Sequence, residues 1–103
     1  MATTVLHVIG TFRLPPENVP QARIVMRRVI EASLAEDGCV SYAYAQDVFD
    51  PGLIRVHEIW QDRSALDRHF TTAHIGEWRS AWASIGIGDR NLTLHSCDDG
   101  QPI

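Results

Sequence analysis

This sequence is poor in cysteine, positive charge and long apolar runs, and each shortage removes a class of function. Its two cysteines, Cys39 and Cys97, lie far apart and form neither a CxxC pair nor a disulfide framework, so reduced thiols are expected. Nine Lys and Arg stand against thirteen Asp and Glu, a formal charge of −4, and the arginines alternate with acids. Such a chain makes no long-range positive field of the kind that draws nucleic acid, so neither DNA nor RNA is an expected partner. No stretch approaches the roughly 20 apolar residues that span a bilayer. The start, Met1-Ala2-Thr3-Thr4-Val5-Leu6, lacks the basic segment of a secretory leader. No membrane association and a cytoplasmic location are therefore expected. A Rossmann fingerprint, a P-loop and a haem-attachment motif are all missing, so no dedicated nucleotide or cofactor site is expected. No repeat, linker or low-complexity tract interrupts the chain, and residues 1–103 read as one domain. With 45% hydrophobic residues it has enough for a real core, yet is small enough to gain from burying more surface in a homodimer.

What is present has a clear order. Val5 to Phe12 is β-branched and apolar, which suits a buried strand better than a helix containing Gly10. After Pro15-Pro16, Asn18 is placed to cap a helix whose first turn tolerates Pro20 and whose apolar stripe is Ala22, Val25, Met26, Val29, Ile30 and Ser33. Gly38 is the expected stop. Cys39 to Asp47 alternates Val40, Tyr42 and Tyr44 against Ser41, Ala43 and Ala45, a strand period. Asp50-Pro51-Gly52 signals a turn, and Leu53 to Gln61 follows so closely that the two strands should form a hairpin. On the second of these, Ile54, Val56, Glu58 and Trp60 share a face. Ser64-Ala65-Leu66-Asp67 resembles a capping box, after which Leu66, His69 and Phe70 fall on one inward stripe. Thr71-Thr72 interrupts that helix. A second piece carries His74, Ile75, Trp78, Trp82 and Ile85, ends at Gly86-Ile87-Gly88, and leads to a last strand from Asn91 to Cys97.

The resulting β-α-β-β-α-β order implies an α+β, ferredoxin-like antiparallel sheet with the helices on one face. In that topology Cys39 and Cys97 belong to opposite sheet edges, too far apart to be bridged. Small side chains at Ser41, Ala43 and Ala45 would let a second sheet approach closely.

Several polar and aromatic residues exceed what packing requires. Glu58 alternates with apolar neighbours on a central strand, where a carboxylate is costly unless paired or facing a solvated cavity. A structural acid and an acid in a pocket both fit. His69 and His74 would lie about 140° apart on an unbroken helix, but a break at Thr71-Thr72 can bring them together. His74 would then sit in the first turn of the second piece, where the macrodipole favours a neutral ring able to accept a proton or contact an oxyanion. Glu58, His69 and His74 have the right types for a metal, but the histidine spacing is not the i, i+4 pair of a helical metal site, and no metal is expected. Tyr42, Trp60, Trp78 and Trp82 could wall a flat cavity, although Trp82 lies on a plain core stripe.

Glu36-Asp37-Gly38-Cys39, Tyr42, Asp47, Pro51, and the spacing E-x-W-x₅-L-x₂-H-x₄-H from Glu58 to His74 together resemble the antibiotic biosynthesis monooxygenase family over residues 5 to 97. The resemblance implies a dimeric α/β barrel in which the sheets of two subunits pack face to face and a ligand cavity lies between sheet and helices. It also implies a cofactor-independent monooxygenase that oxidises a small electron-rich aromatic, of hydroquinone or anthrone type, with molecular oxygen. Such substrates, once deprotonated, reduce oxygen themselves, so the protein need supply a base, an aromatic pocket and charge stabilisation. In this picture His69 and His74 are the catalytic candidates. Tyr42, Glu58, Trp60 and Trp78 contact substrate, with Glu58 also positioning a histidine. The alternatives are an isomerase or other proton-transfer enzyme on a small hydroxy-ketone or polyketide, and a non-catalytic ligand-binding dimer. A haem-degrading relative fits poorly, because Gly10 and His69 stand near the positions where that branch has Asn and Trp.

Overall fold

The computed structural model describes residues 4–103, and residues 1–3 lie outside it. Strand β1 (Val5–Arg13) runs one residue beyond its apolar stretch because Arg13 stays in register with both Leu53 and Gly88. After a short 3₁₀ turn at Pro16–Asn18, helix α1 (Val19–Leu34) buries Val19, Ala22, Met26, Val29 and Ser33, the stripe its spacing dictates. Asn18 stands at the N-cap position, but its side chain does not cap. Instead its amide donates to the Ile85 carbonyl at 3.1 Å, serving the end of a later helix. Gly38 does not end α1 either; the helix stops at Leu34, and Gly38, with φ 84°, turns the chain into the next strand.

Strands β2 (Cys39–Gln46) and β3 (Leu53–Trp60) form the expected antiparallel hairpin. Its loop is held by the Asp47 carboxylate, which accepts from the Phe49 and Asp50 amides at 3.0 and 2.9 Å. The alternation expected for β2 fails at its start. A register shift between Cys39 and Ser41 turns Val40 outward, 60% exposed, and packs Cys39 beside the Tyr42 and Trp60 core. Helices α2 (Arg63–His69) and α3 (Ala73–Ile85) are separate, as the Thr71-Thr72 break requires. Asp62, not Ser64, caps α2, accepting from the Ala65 amide at 2.9 Å, and Phe70 escapes the inward stripe at 45% exposure. Gly86, in the left-handed region at φ 79°, closes α3 with its amide on the Trp82 carbonyl. Strand β4 (Gly88–Cys97) starts three residues earlier than its apolar pattern suggested.

The sheet order is β2-β3-β1-β4, antiparallel throughout, with the three α-helices on one face: the ferredoxin-like α+β fold. Cys39 and Cys97 lie on opposite edges and are free. Burial pushes the Cys39 thiol up to about 11, with the charges of Glu36 and Glu58 adding to the effect. The main core joins Phe12, Ile54 and Val56 to Val29, Trp78 and Ile85, and a smaller one gathers Tyr42, Trp60, Ala65 and Leu66. On the opposite sheet face Ile9, Ala43 and Ala45 are exposed, next to the hydrogen-bonded pair His7 and His57. Among the described residues no helix is long and apolar enough to cross a membrane.

Candidate functional site

Alternation along β3 turns Ile54, Val56, Glu58 and Trp60 toward the helices, and all four are buried. Glu58 is therefore a carboxyl on an apolar face, between Val8 of β1 and Tyr42 of β2. Among the described residues its carboxyl takes one side-chain hydrogen bond, from its own strand: the Trp60 indole Nε1–H donates to Oε1 at 3.0 Å. Burial raises the pKa of Glu58, and the charge of Glu36 adds to the rise. The Trp60 bond and the positive charge of Arg90 oppose it.

Glu58 opens onto a cavity of about 300 Å³ between the β1–β4 side of the sheet and the α2–α3 helices. Val8, Leu66, Phe70, Leu92 and Leu94 make it largely apolar, and Arg63, Arg79 and Arg90 border it. That volume is at the small end of ligand sites, suited to a compact molecule. Gly10 keeps β4 close beneath it: a Cβ there would stand 1.9 Å from the Asn91 carbonyl oxygen.

The two histidines meet, but around a different acid. Nδ1 of His69 lies 2.6 Å and Nε2 of His74 2.7 Å from the same oxygen, Oε2 of Glu36, so one carboxylate accepts from two imidazoles. Glu36 follows α1, His69 ends α2 and His74 begins α3, so the cluster ties three helices together. His69 is 1% exposed, and burial holds its pKa below the usual histidine range although Glu36 pulls it upward. Its ring packs at a tilt against Trp60 at 4.6 Å between centroids and against Tyr42 at 5.4 Å. A continuous contact path thus runs from Glu36 through His69 and Trp60 to Glu58.

This arrangement corrects several sequence expectations. Glu58 does not position a histidine; Glu36 does, and Glu58 is held by Trp60. His69 and His74 do not contribute to the lining of the Glu58 cavity. Tyr42 and Trp60 are packed behind it at 4% and 0% exposure, and Tyr42 joins its hydroxyl to that of Tyr44 at 3.0 Å. Burial raises the Tyr42 pKa far above the ordinary phenol range, so its hydroxyl stays protonated. Trp78 packs in the main core against Phe12 and Tyr44 and reaches a separate groove between α1 and α3, which His74 also borders. Glu36 had a signal in the sequence, the Glu36-Asp37-Gly38-Cys39 segment; Arg79 and Arg90 had none, because no periodicity marks them. Among the described residues the donor set that could hold a metal is Glu36, His69 and His74, within 4.8 Å of one another, and not the trio containing Glu58. At 2.6 and 2.7 Å these atoms are at hydrogen-bond separation.

Residues 5–81 match the sequence model of a family described as antibiotic biosynthesis monooxygenase. An uncharacterized protein of Synechocystis is 31% identical over 71 residues, 69% of this chain, and the chain spans about half (48%) of that protein's length. A solved protein of Pseudomonas aeruginosa is similar with a TM-score of 0.78 and 26% identity, over 98% of this chain and 99% of that one. A crystal structure named antibiotic biosynthesis monooxygenase has a TM-score of 0.75 and 28% identity, over 94% and 99%. A conserved protein of Methanosarcina mazei, 23% identical, shares the fold at a TM-score of 0.78 over 92% of each chain.

Proposed function

Because the chain belongs to the antibiotic biosynthesis monooxygenase family, we propose that it is a cofactor-independent monooxygenase for a small electron-rich hydroxyaromatic of hydroquinone or anthrone type. The observation that carries this reading is Glu58, a buried carboxyl with a raised pKa at the wall of an apolar cavity of about 300 Å³. A raised pKa makes a carboxylate a stronger proton acceptor. Glu58 takes a proton from the substrate, and the substrate anion passes one electron to dioxygen. The resulting radical and superoxide join as a peroxide anion, which takes the proton back from Glu58; the hydroperoxide so formed loses water to leave a new carbonyl. An anthrone methylene gives up four electrons in becoming a carbonyl, and dioxygen accepts four in becoming one carbonyl oxygen and one water. No external reductant enters the balance.

Trp60 acts as a positioning residue, aiming Oε1 and favouring its ionised form. His69 and His74, joined through Glu36, brace Trp60 from behind. The bare sheet face, with Ile9, Ala43 and Ala45 exposed, is the surface on which a second copy would pack in a homodimer. A second reading keeps Glu58 as base and drops oxygen: an isomerase of a small hydroxy-ketone begins with the same proton abstraction, and cationic arginines near the cavity would stabilise its enolate.

Glu58→Gln tests the assignment, since the amide keeps the shape and the acceptor for Trp60 but cannot take the proton. Turnover should fall about 10²- to 10⁴-fold with the fold retained. Near-normal turnover by this variant on a confirmed substrate would remove Glu58 as the base, and a far larger loss in His74→Ala would move that role to the histidines. Substrate conversion without oxygen uptake would select the isomerase.

A further inference from the structure

Four of the nine arginines are paired with carboxylates, but two of the three that border the Glu58 cavity are not. Arg13 pairs with Asp50, Arg28 with Glu77, Arg55 with Asp47 and Arg63 with Asp67. Among the described residues Arg79 and Arg90 have no carboxylate in salt-bridge contact. Their guanidinium groups lie instead over aromatic rings, Arg79 at 5.7 Å from the Phe70 centroid and Arg90 at 5.1 Å from that of Trp82. A ring face orients a guanidinium without cancelling its charge. Both line the same cavity as Glu58.

The charge of the site follows. Arg63 is paired with Asp67, so two exposed arginines without a carboxylate partner rim a cavity whose wall holds one buried acid. Even with Glu58 ionised, one positive charge remains. In a chain with a net charge of −4, this is a local reversal of sign. Together the two guanidinium groups are free to hold a permanent anion, which their planar forks match in carboxylate or phosphate geometry.

We propose that the substrate carries an anionic substituent, a carboxylate or a phosphate, clasped by Arg79 and Arg90 while its ring lies against Leu66 and Leu92. This rests on the Glu58 cavity being the reaction site, and it narrows the substrate to an aromatic acid.

Equilibrium binding to the full chain, followed by tryptophan fluorescence and calorimetry, tests it with matched probes: gentisate and dihydroxynaphthoate, their neutral amides, and hydroquinone monophosphate. The acids should bind at least about tenfold tighter than the amides, with the advantage shrinking as salt is added. Arg79→Gln and Arg90→Gln should each reduce that advantage while leaving amide affinity unchanged, and Arg23→Gln on α1 should leave both as they are. If the phosphate outbinds gentisate, the anionic group is a phosphate; the reverse order makes it a carboxylate. Equal affinity for acid and amide, a preference that survives in both cavity variants, or no binding of any anionic probe up to about 10 mM overturns the proposal. These readouts need no turnover, so their failure leaves the Glu58 mechanism standing, and failure of that mechanism shows separately as normal turnover in Glu58→Gln.

Discussion

Replacing Trp60 by Phe would remove the polar contact that holds the base while keeping an aromatic ring in its place. Trp60 is wholly buried, donates to Glu58 at 3.0 Å, and lies against His69 at 4.6 Å and edge-on to Tyr42 at 6.4 Å. A hydrogen bond to a charged group contributes about 1.5–3 kcal/mol, and here it favours the ionised carboxylate. Its loss therefore pushes the Glu58 pKa further up, in the direction burial already drives it. The acid limb of the kcat/KM profile should move to higher pH, with turnover recovering toward wild type on the alkaline side. The smaller ring also leaves a void, costing less than the roughly 3–5 kcal/mol of a Trp→Ala change. Stability links to the same group. Because folding favours protonated Glu58, its contribution is complete below the ordinary carboxylate pKa and is lost as pH rises through the raised value. The variant should carry that loss to higher pH. Rate profiles over pH, with carbon NMR titration of labelled glutamate, measure both effects. A lower melting temperature with an unmoved acid limb would refute the reasoning, because Trp60 would then be packing alone.

Glu36→Ala should lower stability by about 1–3 kcal/mol, since it strands the buried His69 without its partner, and His74→Ala should cost less because His74 is partly exposed; chemical denaturation reads both. Gly10→Val should destabilise by about 1–3 kcal/mol or more and lower activity with it, because its Cβ meets the Asn91 backbone and displaces the strand that carries Leu92 and Leu94; a thermal melt with normal Tm would contradict this. Sedimentation at micromolar concentration should give about twice the 11.5 kDa chain mass, and a monodisperse monomer would count against the face-to-face homodimer.

Periodicity made most of the fold legible. Ile54, Val56, Glu58 and Trp60 alternate in sequence and share a buried face, because a strand offers that period and no other. The break at Thr71-Thr72 was legible too, since Thr72 is itself the cap of α3. Local rules failed where a distant contact won. Asn18 has the chemistry of a cap, but the Ile85 carbonyl competes for its side chain. Asp62 reaches the Ala65 amide from an extended conformation, so the cap falls two residues before Ser64. The bulge after Cys39 depends on pairing with β3, which a single strand's pattern does not contain. The site was legible only in pieces for the same reason. Glu58 stood out as an acid on an apolar strand face, and the two histidines as a pair near a helix break. That Glu36 joins them, and that Arg79 and Arg90 flank Glu58, follows from folding three helices onto one sheet, contacts between residues far apart in the chain.

The central claim is that the folded chain, through Glu58 alone as base, inserts oxygen into its substrate without a cofactor. The most direct measurement is isotope incorporation from labelled dioxygen, using protein treated with chelator and verified free of bound flavin and haem, on an anthrone or carboxylated hydroquinone. The account predicts product carrying one labelled oxygen with the other recovered as water, and loss of that signal in Glu58→Gln. Unlabelled product, or labelling that returns only after iron or flavin is added, would contradict it.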